Sequence, residues 1–262
     1  MMMKLVKNLK SLDEHVTAKQ NNKIYFNDEL YFLKLGDEEA LLNELVAEEL
    51  AKEFGIKCAH YEIGTLCGKP VVISKSVFES GTNVYSLLNL VGYEVDLETL
   101  WNKLEQNYDD FDVVAGLMEE IVSVFLFDIL IANDDRHGLN LFIEECKDGP
   151  VVAPIFDNEK MLSELSISHQ IYIMNTEPFN NLDNHINILD HFLRISDSRY
   201  AKILKDKLLI ISEDNIKRVL EKIEKERSIV LSSKYKKKVI DGFKANEAMI
   251  QKALEKVNIM RI

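Results

Sequence analysis

The chain has 262 residues, 47% of them apolar and 29% charged, the balance of a globular protein long enough to bury a substantial core rather than a disordered one. Its net charge of −12 argues against nucleic acid as a direct partner, because basic contacts to phosphates supply most of that affinity. Three scattered cysteines, Cys58, Cys67 and Cys146, form no CxxC pair, which excludes a disulfide framework and a zinc site and fits a reducing compartment.

The N-terminus, Met1-Met2-Met3-Lys4, leads into mixed polar sequence without a signal-peptide core. The longest apolar run, Ile121 to Ala132, contains Ser123 and Asp128 and is too short to span a bilayer. A cytoplasmic protein with no membrane partner is expected.

From Val16 to Leu35 the pattern predicts short strands: VTAKQNNKIYF, a turn at Asn27-Asp28, then ELYFLKL. Lys34 sits among aromatic and aliphatic neighbours in the last of these. A lysine there either points to solvent from an edge strand or holds nucleotide phosphates, as the strand lysine of kinases does. The stretch His15 to Lys23 contains no glycine, although a phosphate-covering loop usually uses glycines to bring backbone amides to the phosphates.

A helix is predicted from Asp37 to Gly55, with acidic residues in its first turn and glycine as its stop. Leu42, Leu45, Val46 and Leu50 form its main apolar face at helical spacing. Glu44 shares another face with Ala40, Ala47 and Ala51, where small side chains allow close approach to a sheet. Glu44 is a candidate partner for Lys34, with Glu48 one turn on as competitor and simple solvation as the alternative for either. Two further strands, Ala59 to Ile63 and Pro70 to Ser74, flank a turn at Gly68-Lys69.

Asn83 to Tyr108 mixes helix-like runs with acidic residues, and Trp101 lies among Leu97, Leu100 and Leu104 at core spacing. Asp112 to Ala132 reads as one long buried helix. Asp128 interrupts its apolar run, and a buried carboxylate needs a partner such as Arg136.

The helix ends at Asn133-Asp134-Asp135. Asn140 follows Asp135 by five positions, and Asp157 ends a second apolar approach. Each residue alone is ordinary turn chemistry. Together they match what phosphoryl transfer from Mg-ATP requires: Asp135 to orient the attacking hydroxyl and take its proton, Asn140 to hold a metal ion, and Asp157 to bridge metal and phosphates.

Beyond Pro178 the pattern is helical, with candidates over Ile186–Ile195, Ser198–Leu209, Ser212–Leu231 and Lys234–Val257, the last interrupted at Asp241-Gly242. The basic run Lys234-Tyr235-Lys236-Lys237-Lys238 reads as a solvated helix end. His169, His185 and His191 do not stack on one helix face, so no metal site is expected there.

Two segments carry a resemblance. Asp135-Arg136-His137-Gly138-Leu139-Asn140 followed by Ala153-Pro154-Ile155-Phe156-Asp157 resembles the catalytic segment of HipA-like serine/threonine kinases, and the Asp-Arg-His-x-x-Asn string is also similar to that of phosphoinositide kinases. Phe32-Leu33-Lys34-Leu35, Asn43-Glu44 and Leu50-Ala51-Lys52-Glu53-Phe54-Gly55-Ile56 resemble the HipA-like group alone, in order and spacing. The match covers roughly Val16 to Asp157.

The resemblance implies an α+β, two-lobed protein-kinase-like fold, with a small β-rich N-lobe over 1–77 and a mainly helical C-lobe over 78–262. It implies ATP and Mg2+ as cofactors, Asp135 as catalytic base, and Asn140 and Asp157 as metal ligands. Lys34, Glu44 and Lys19 (or Lys23 in the same stretch) would bind ATP, with the backbone around Ser74 to Ser76 at the adenine. Thr17 is a candidate autophosphorylation site, His137 a brace for the loop, and the substrate a protein Ser or Thr hydroxyl. The family includes toxins restrained by a DNA-binding antitoxin partner, although the sequence is short for the family and its additional N-terminal subdomain is not expected in it. A nucleotide-binding pseudokinase acting through protein partners and a phosphoinositide or small-molecule kinase of the same ancestry are the alternative readings.

Overall fold

The computed structural model describes residues 3–5, 10–11, 16–20, 23–26, 29–35, 37–78, 81–91, 97–133, 136, 138–162 and 198–259, with most side chains described from Tyr31 onward. The predicted helix Ile186–Ile195, the three histidines 169, 185 and 191, and Asp135 and His137 lie outside these residues. The described part is a mixed α and β protein in which small sheets precede a mostly helical remainder.

Alternating apolar residues near the start build a six-stranded sheet. It contains β2 (Lys10–Ser11), β3 (Val16–Gln20), β4 (Lys23–Phe26), β5 (Glu29–Lys34), β6 (Tyr61–Leu66) and β7 (Lys69–Lys75), in the spatial order β2-β6-β7-β5-β4-β3. All pairs are antiparallel except β2 with β6. Within the glycine-free stretch β3 pairs antiparallel with β4. The β6–β7 turn falls one residue earlier than expected, at Cys67-Gly68, where φ values of 51° and 73° are those of the two-residue turn that matches strand twist. On β7, Val72 joins the main core, while Val71 and Ile73 pack with Tyr31 and Leu33 in a smaller cluster, the period-two burial of a strand.

Helix α1 (Glu38–Phe54) follows the prediction at both ends. The Asp37 carboxylate accepts the Ala40 amide at 2.8 Å, and Gly55 stops the helix at φ 98°. Every residue from Leu41 to Ala51 is buried, Glu44, Glu48 and Glu49 included. The helix is therefore enclosed on all sides, which the single apolar face read from the sequence did not convey.

The stretch after residue 81 differs from its helical reading at the start. Asn83–Ser86 is a strand, β8, followed by the short α2 (Leu87–Val91) and by α3 (Leu97–Asn107). β8 pairs with β9 (Phe142–Cys146), which pairs with β10 (Gly149–Val152). Trp101 packs on the core edge with its ring 5.5 Å from Phe111. The long helix α4 (Phe111–Ile131) is buried along one whole half, from Val124 to Ile131, and closes at Ala132 with φ 49°.

At the C-terminal end α5 (Ser198–Lys207), a 3-10 turn (Leu208–Ile211), α6 (Glu213–Arg227) and α7 (Ser233–Ile259) complete the fold. The expected helix to Leu231 stops at Ser228 in left-handed geometry (φ 53°), and Ile229–Leu231 becomes strand β11, paired with β1 (Met3–Leu5). A β-branched Ile-Val pair suits a strand once the helix has ended. Helix α7 runs unbroken through Asp241-Gly242. The basic run is not merely solvated, since Lys236 pairs with Glu224 at 2.8 Å and Lys238 pairs with Glu39. One core joins α1, α4, α6 and α7, and each fully buried Leu or Ile in it contributes roughly 1.5–3 kcal/mol. No helix among the described residues is long and apolar enough to cross a membrane.

Candidate active site

Lys34 ends β5 and Glu44 lies on the second turn of α1. The lysine ammonium ion-pairs with Glu44 and with Asp157, and lies 3.1 Å from Glu159 Oε2. Burial works against its charge, but the Glu44 and Asp157 carboxylates outweigh that and hold it well above the usual lysine range. Of the two candidate glutamates, Glu44 is the one that meets Lys34. Glu48 is taken up by Arg227, Lys52, His60 and the Tyr61 amide instead.

Glu44 is fully buried, and its remaining lone pairs are used. Both of its oxygens accept the Asn158 amide, at 3.1 and 3.0 Å, and the Tyr61 phenol bonds it as well. The preceding residue grips the same segment: Asn43 Nδ2 donates to the carbonyls of Glu159 at 2.8 Å and Met161 at 3.0 Å. The Asn43-Glu44 pair therefore holds the backbone on the C-terminal side of Asp157. Asp157 has φ 63°, in a region that Asp and Asn tolerate better than other side chains, and it remains partly exposed.

Arg136 joins this segment to the loop after α4. It is buried, with Nε 2.9 Å from Asp128 Oδ2 and Nη2 3.1 Å from Asp128 Oδ1. Nη2 also donates to Asn158 Oδ1 at 2.5 Å, and Nη1 donates to the carbonyls of Phe156 at 2.7 Å and Asn140 at 3.4 Å. Asn133 completes the anchor through Nδ2 to Asp128 Oδ1 at 3.0 Å. One guanidinium thus gathers the backbone of Asn140 and of the residue before Asp157. A continuous polar chain runs Lys34–Glu44–Asn158–Arg136–Asp128, from the sheet to the end of α4. Asn158 is its middle link, and its identity beside Asp157 gave no periodic signal by which to find it.

The remaining sequence candidates lie around this centre. Ser74 is inside β7 opposite Phe32 and Tyr61, and its hydroxyl donates to the Lys75 carbonyl at 2.9 Å. Ser76 lies just beyond the strand, and its hydroxyl accepts the Phe78 amide at 3.4 Å. Thr17 and Lys19 fall on β3, where the backbone alone is described. Lys23 pairs in register with Phe32, and Lys19 with Ile24. Leu139, between Asp135 and Asn140 in sequence, is exposed.

Mg2+ prefers hard oxygen ligands and keeps several waters, so one carboxylate, one amide oxygen and nucleotide phosphates suffice. Asp157 and Asn140 fit that donor set. No group of three His, Cys, Asp or Glu residues suited to a metal ion occurs among the described residues, which such a site does not need. A separate cavity of about 410 Å3, lined by Ile56, Glu120, Val124, Val152 and Ile155, includes none of these site residues.

Nearly the whole chain is similar in fold to solved structures. It aligns with the proinflammatory kinase CtkA of Helicobacter pylori at a TM-score of 0.66 and 20% identity, over 97% of this chain and 100% of that one. It also aligns with the toxin–antitoxin system of Shewanella oneidensis MR-1, a complex of HipA, HipB and operator DNA, at a TM-score of 0.58 and 14% identity, over 95% of this chain and 67% of that one. No protein-family model and no curated protein sequence matches the chain. The likeness is one of fold, to the kinase CtkA and to HipA. The charge-based expectation that nucleic acid is no direct partner gains no support from the second neighbour, whose structure includes operator DNA.

Proposed function

We propose that this protein is an ATP- and Mg-dependent serine/threonine protein kinase of two lobes, 1–77 and 78–262, with the active site between the sheet lysine and the loop after α4. The observation that carries this reading is the convergence of Lys34, Glu44 and Asp157, residues 123 apart in sequence, within a kinase-like fold. Lys34, held by Glu44, orients the nucleotide phosphates, and Lys19 or Lys23 supports it. Ser76 lies at the adenine end. Asn140 and Asp157 hold the magnesium, which neutralises charge developing on the phosphates. Asp135 orients the substrate hydroxyl and accepts its proton. Toxin activity restrained by an antitoxin partner is supported by the HipA neighbour's complex, and Thr17 is the proposed autophosphorylation site.

The test is the intact mass of the purified protein after incubation with Mg-ATP, beside Asp135→Asn and Asp157→Asn. Asparagine at 157 removes the charge while tolerating the left-handed backbone there, which alanine does less well. A phosphate gained by the wild type alone supports a kinase, and peptide mapping then tests Thr17. Magnesium-dependent ATP binding without transfer to self or to protein would favour a pseudokinase, and transfer to lipid or small-molecule hydroxyls would favour the kindred small-molecule kinases. Absence of nucleotide binding overturns the reading.

A further inference from the structure

Helix α1 carries Glu44, and both C-terminal helices fasten it along its full length. Lys238 of α7 pairs with Glu39, and Tyr235 of α7 donates to Asn43 Oδ1 at 3.1 Å. From α6, Arg227 meets Glu48 at 3.0 Å, Lys222 pairs with Glu49, and Arg218 meets Glu53 at 3.1 Å. Lys207 at the end of α5 donates to the Phe54 carbonyl at 2.6 Å. These contacts advance steadily up α1 as they step back along the C-terminal helices, so they form a continuous seam rather than scattered surface pairs.

We infer that Arg227 and Lys222 are positioning residues that hold α1, and through it Glu44, in the geometry that meets Lys34 and the Asn158 amide. Glu48 and Glu44 are one helical turn apart, and a helix is stiff over that distance, so fixing one carboxylate fixes the other. Glu48 is fully buried and is faced by Arg227, Lys52, His60 and the Tyr61 amide. The Lys52 and His60 side chains are 50% and 63% exposed, whereas Arg227 is 14% exposed. Arg227 is therefore the cation that shares the burial of Glu48, and water replaces it least well. The seam places control of the Lys34–Glu44 pair in α6, with Arg227 lying 179 residues beyond Glu48 in sequence. The catalytic consequence rests on the kinase reading above; the mechanical one does not.

The experiment measures amide hydrogen exchange at Asn158 and Tyr61, whose N–H groups donate to Glu44 and Glu48, in wild type, Arg227→Met and Arg227→Lys. Arg227→Met is expected to speed exchange at both amides by about ten-fold, leaving Val152 unchanged, with Arg227→Lys within about three-fold of wild type. Phosphate transfer per folded molecule should fall in parallel and recover in Arg227→Lys. Folded Arg227→Met with unchanged exchange at Asn158 overturns the inference, and faster exchange with undiminished transfer overturns its catalytic part. Should Arg227→Met not fold, Lys222→Met with Arg218→Met, the more exposed partners in the seam, is expected to speed Asn158 exchange about three-fold, and no change there overturns the inference equally. If the wild type transfers no phosphate, the kinase reading fails while the exchange data still decide the seam.

Discussion

Arg136 and Asp128 form a two-point ion pair inside the protein, 2.9 Å from Nε to Oδ2 and 3.1 Å from Nη2 to Oδ1, with both side chains essentially inaccessible. The carboxylate that interrupts an apolar helix thus organises both loops of the site, because the same guanidinium holds the carbonyls of Asn140 and Phe156 and the side chain of Asn158. Asp128→Asn leaves that guanidinium buried without its counter-charge. A loss of about 3–5 kcal/mol is expected, as for other broken buried pairs. Urea unfolding of the variant beside wild type measures it, and a loss below about 1 kcal/mol, the value of an exposed pair, would contradict the anchoring role.

Two glycines should respond in opposite ways. A Cβ on Gly138 would lie 2.9 Å from the Leu88 amide nitrogen and 3.1 Å from its Cα, backbone atoms that already hold Gly138 through a 2.9 Å hydrogen bond. Gly138→Ala therefore displaces the loop that carries Asn140, with an expected cost of about 1–3 kcal/mol. Nothing lies within 4 Å of a Cβ on Gly116, inside α4, so Gly116→Ala should stabilise by roughly 0.5–1 kcal/mol. Thermal melts of the two variants separate these outcomes by sign. Phosphate transfer should fall in the first and not in the second.

The Glu49 contacts of the seam weaken in acid. Burial pushes the Glu49 carboxyl up, but hydrogen bonds from Lys222 and Lys52 outweigh it and the net shift is downward. A lowered carboxylate contributes stability that is complete above its unfolded value and disappears as pH falls through its folded one. The melting-temperature gap between wild type and Glu49→Gln should be full at neutral pH and close progressively below the ordinary value of 4.5. A gap independent of pH would remove Glu49 from the seam.

Cysteine reactivity offers a reporter of the site. Burial, with the Glu44 and Glu48 carboxylates, pushes the Cys58 thiol far up, and its sulfur lies 3.9 Å from Asn158 Nδ2. Cys67 is exposed in the β6–β7 turn. At pH 8 an aromatic disulfide reagent should label Cys67 about a hundred-fold faster than Cys58, because the thiolate is the reactive form. Comparable rates would mean that the Glu44–Asn158 region opens readily.

Local chemistry alone determined a good part of this protein. Helix α1 could be read from Asp37 and Gly55, α4 from its apolar run, and the strand bearing Lys34 from its aromatic alternation, because capping and periodicity act within a few residues. The order of Lys34, Glu44, Asn140 and Asp157 along the chain was legible for the same reason. What required the folded chain was every choice between equivalents. Glu44 and Glu48 differ by one helical turn, and only the position of β5 beside α1 assigns Lys34 to Glu44 and Arg227 to Glu48. Ile229–Leu231 lies at a helix end and becomes a strand because β1, more than two hundred residues earlier in the chain, pairs with it. Asn158 carries no pattern at all. Its role exists because a buried glutamate and a buried arginine, brought together from opposite ends of the site, both needed a hydrogen-bond partner at that point.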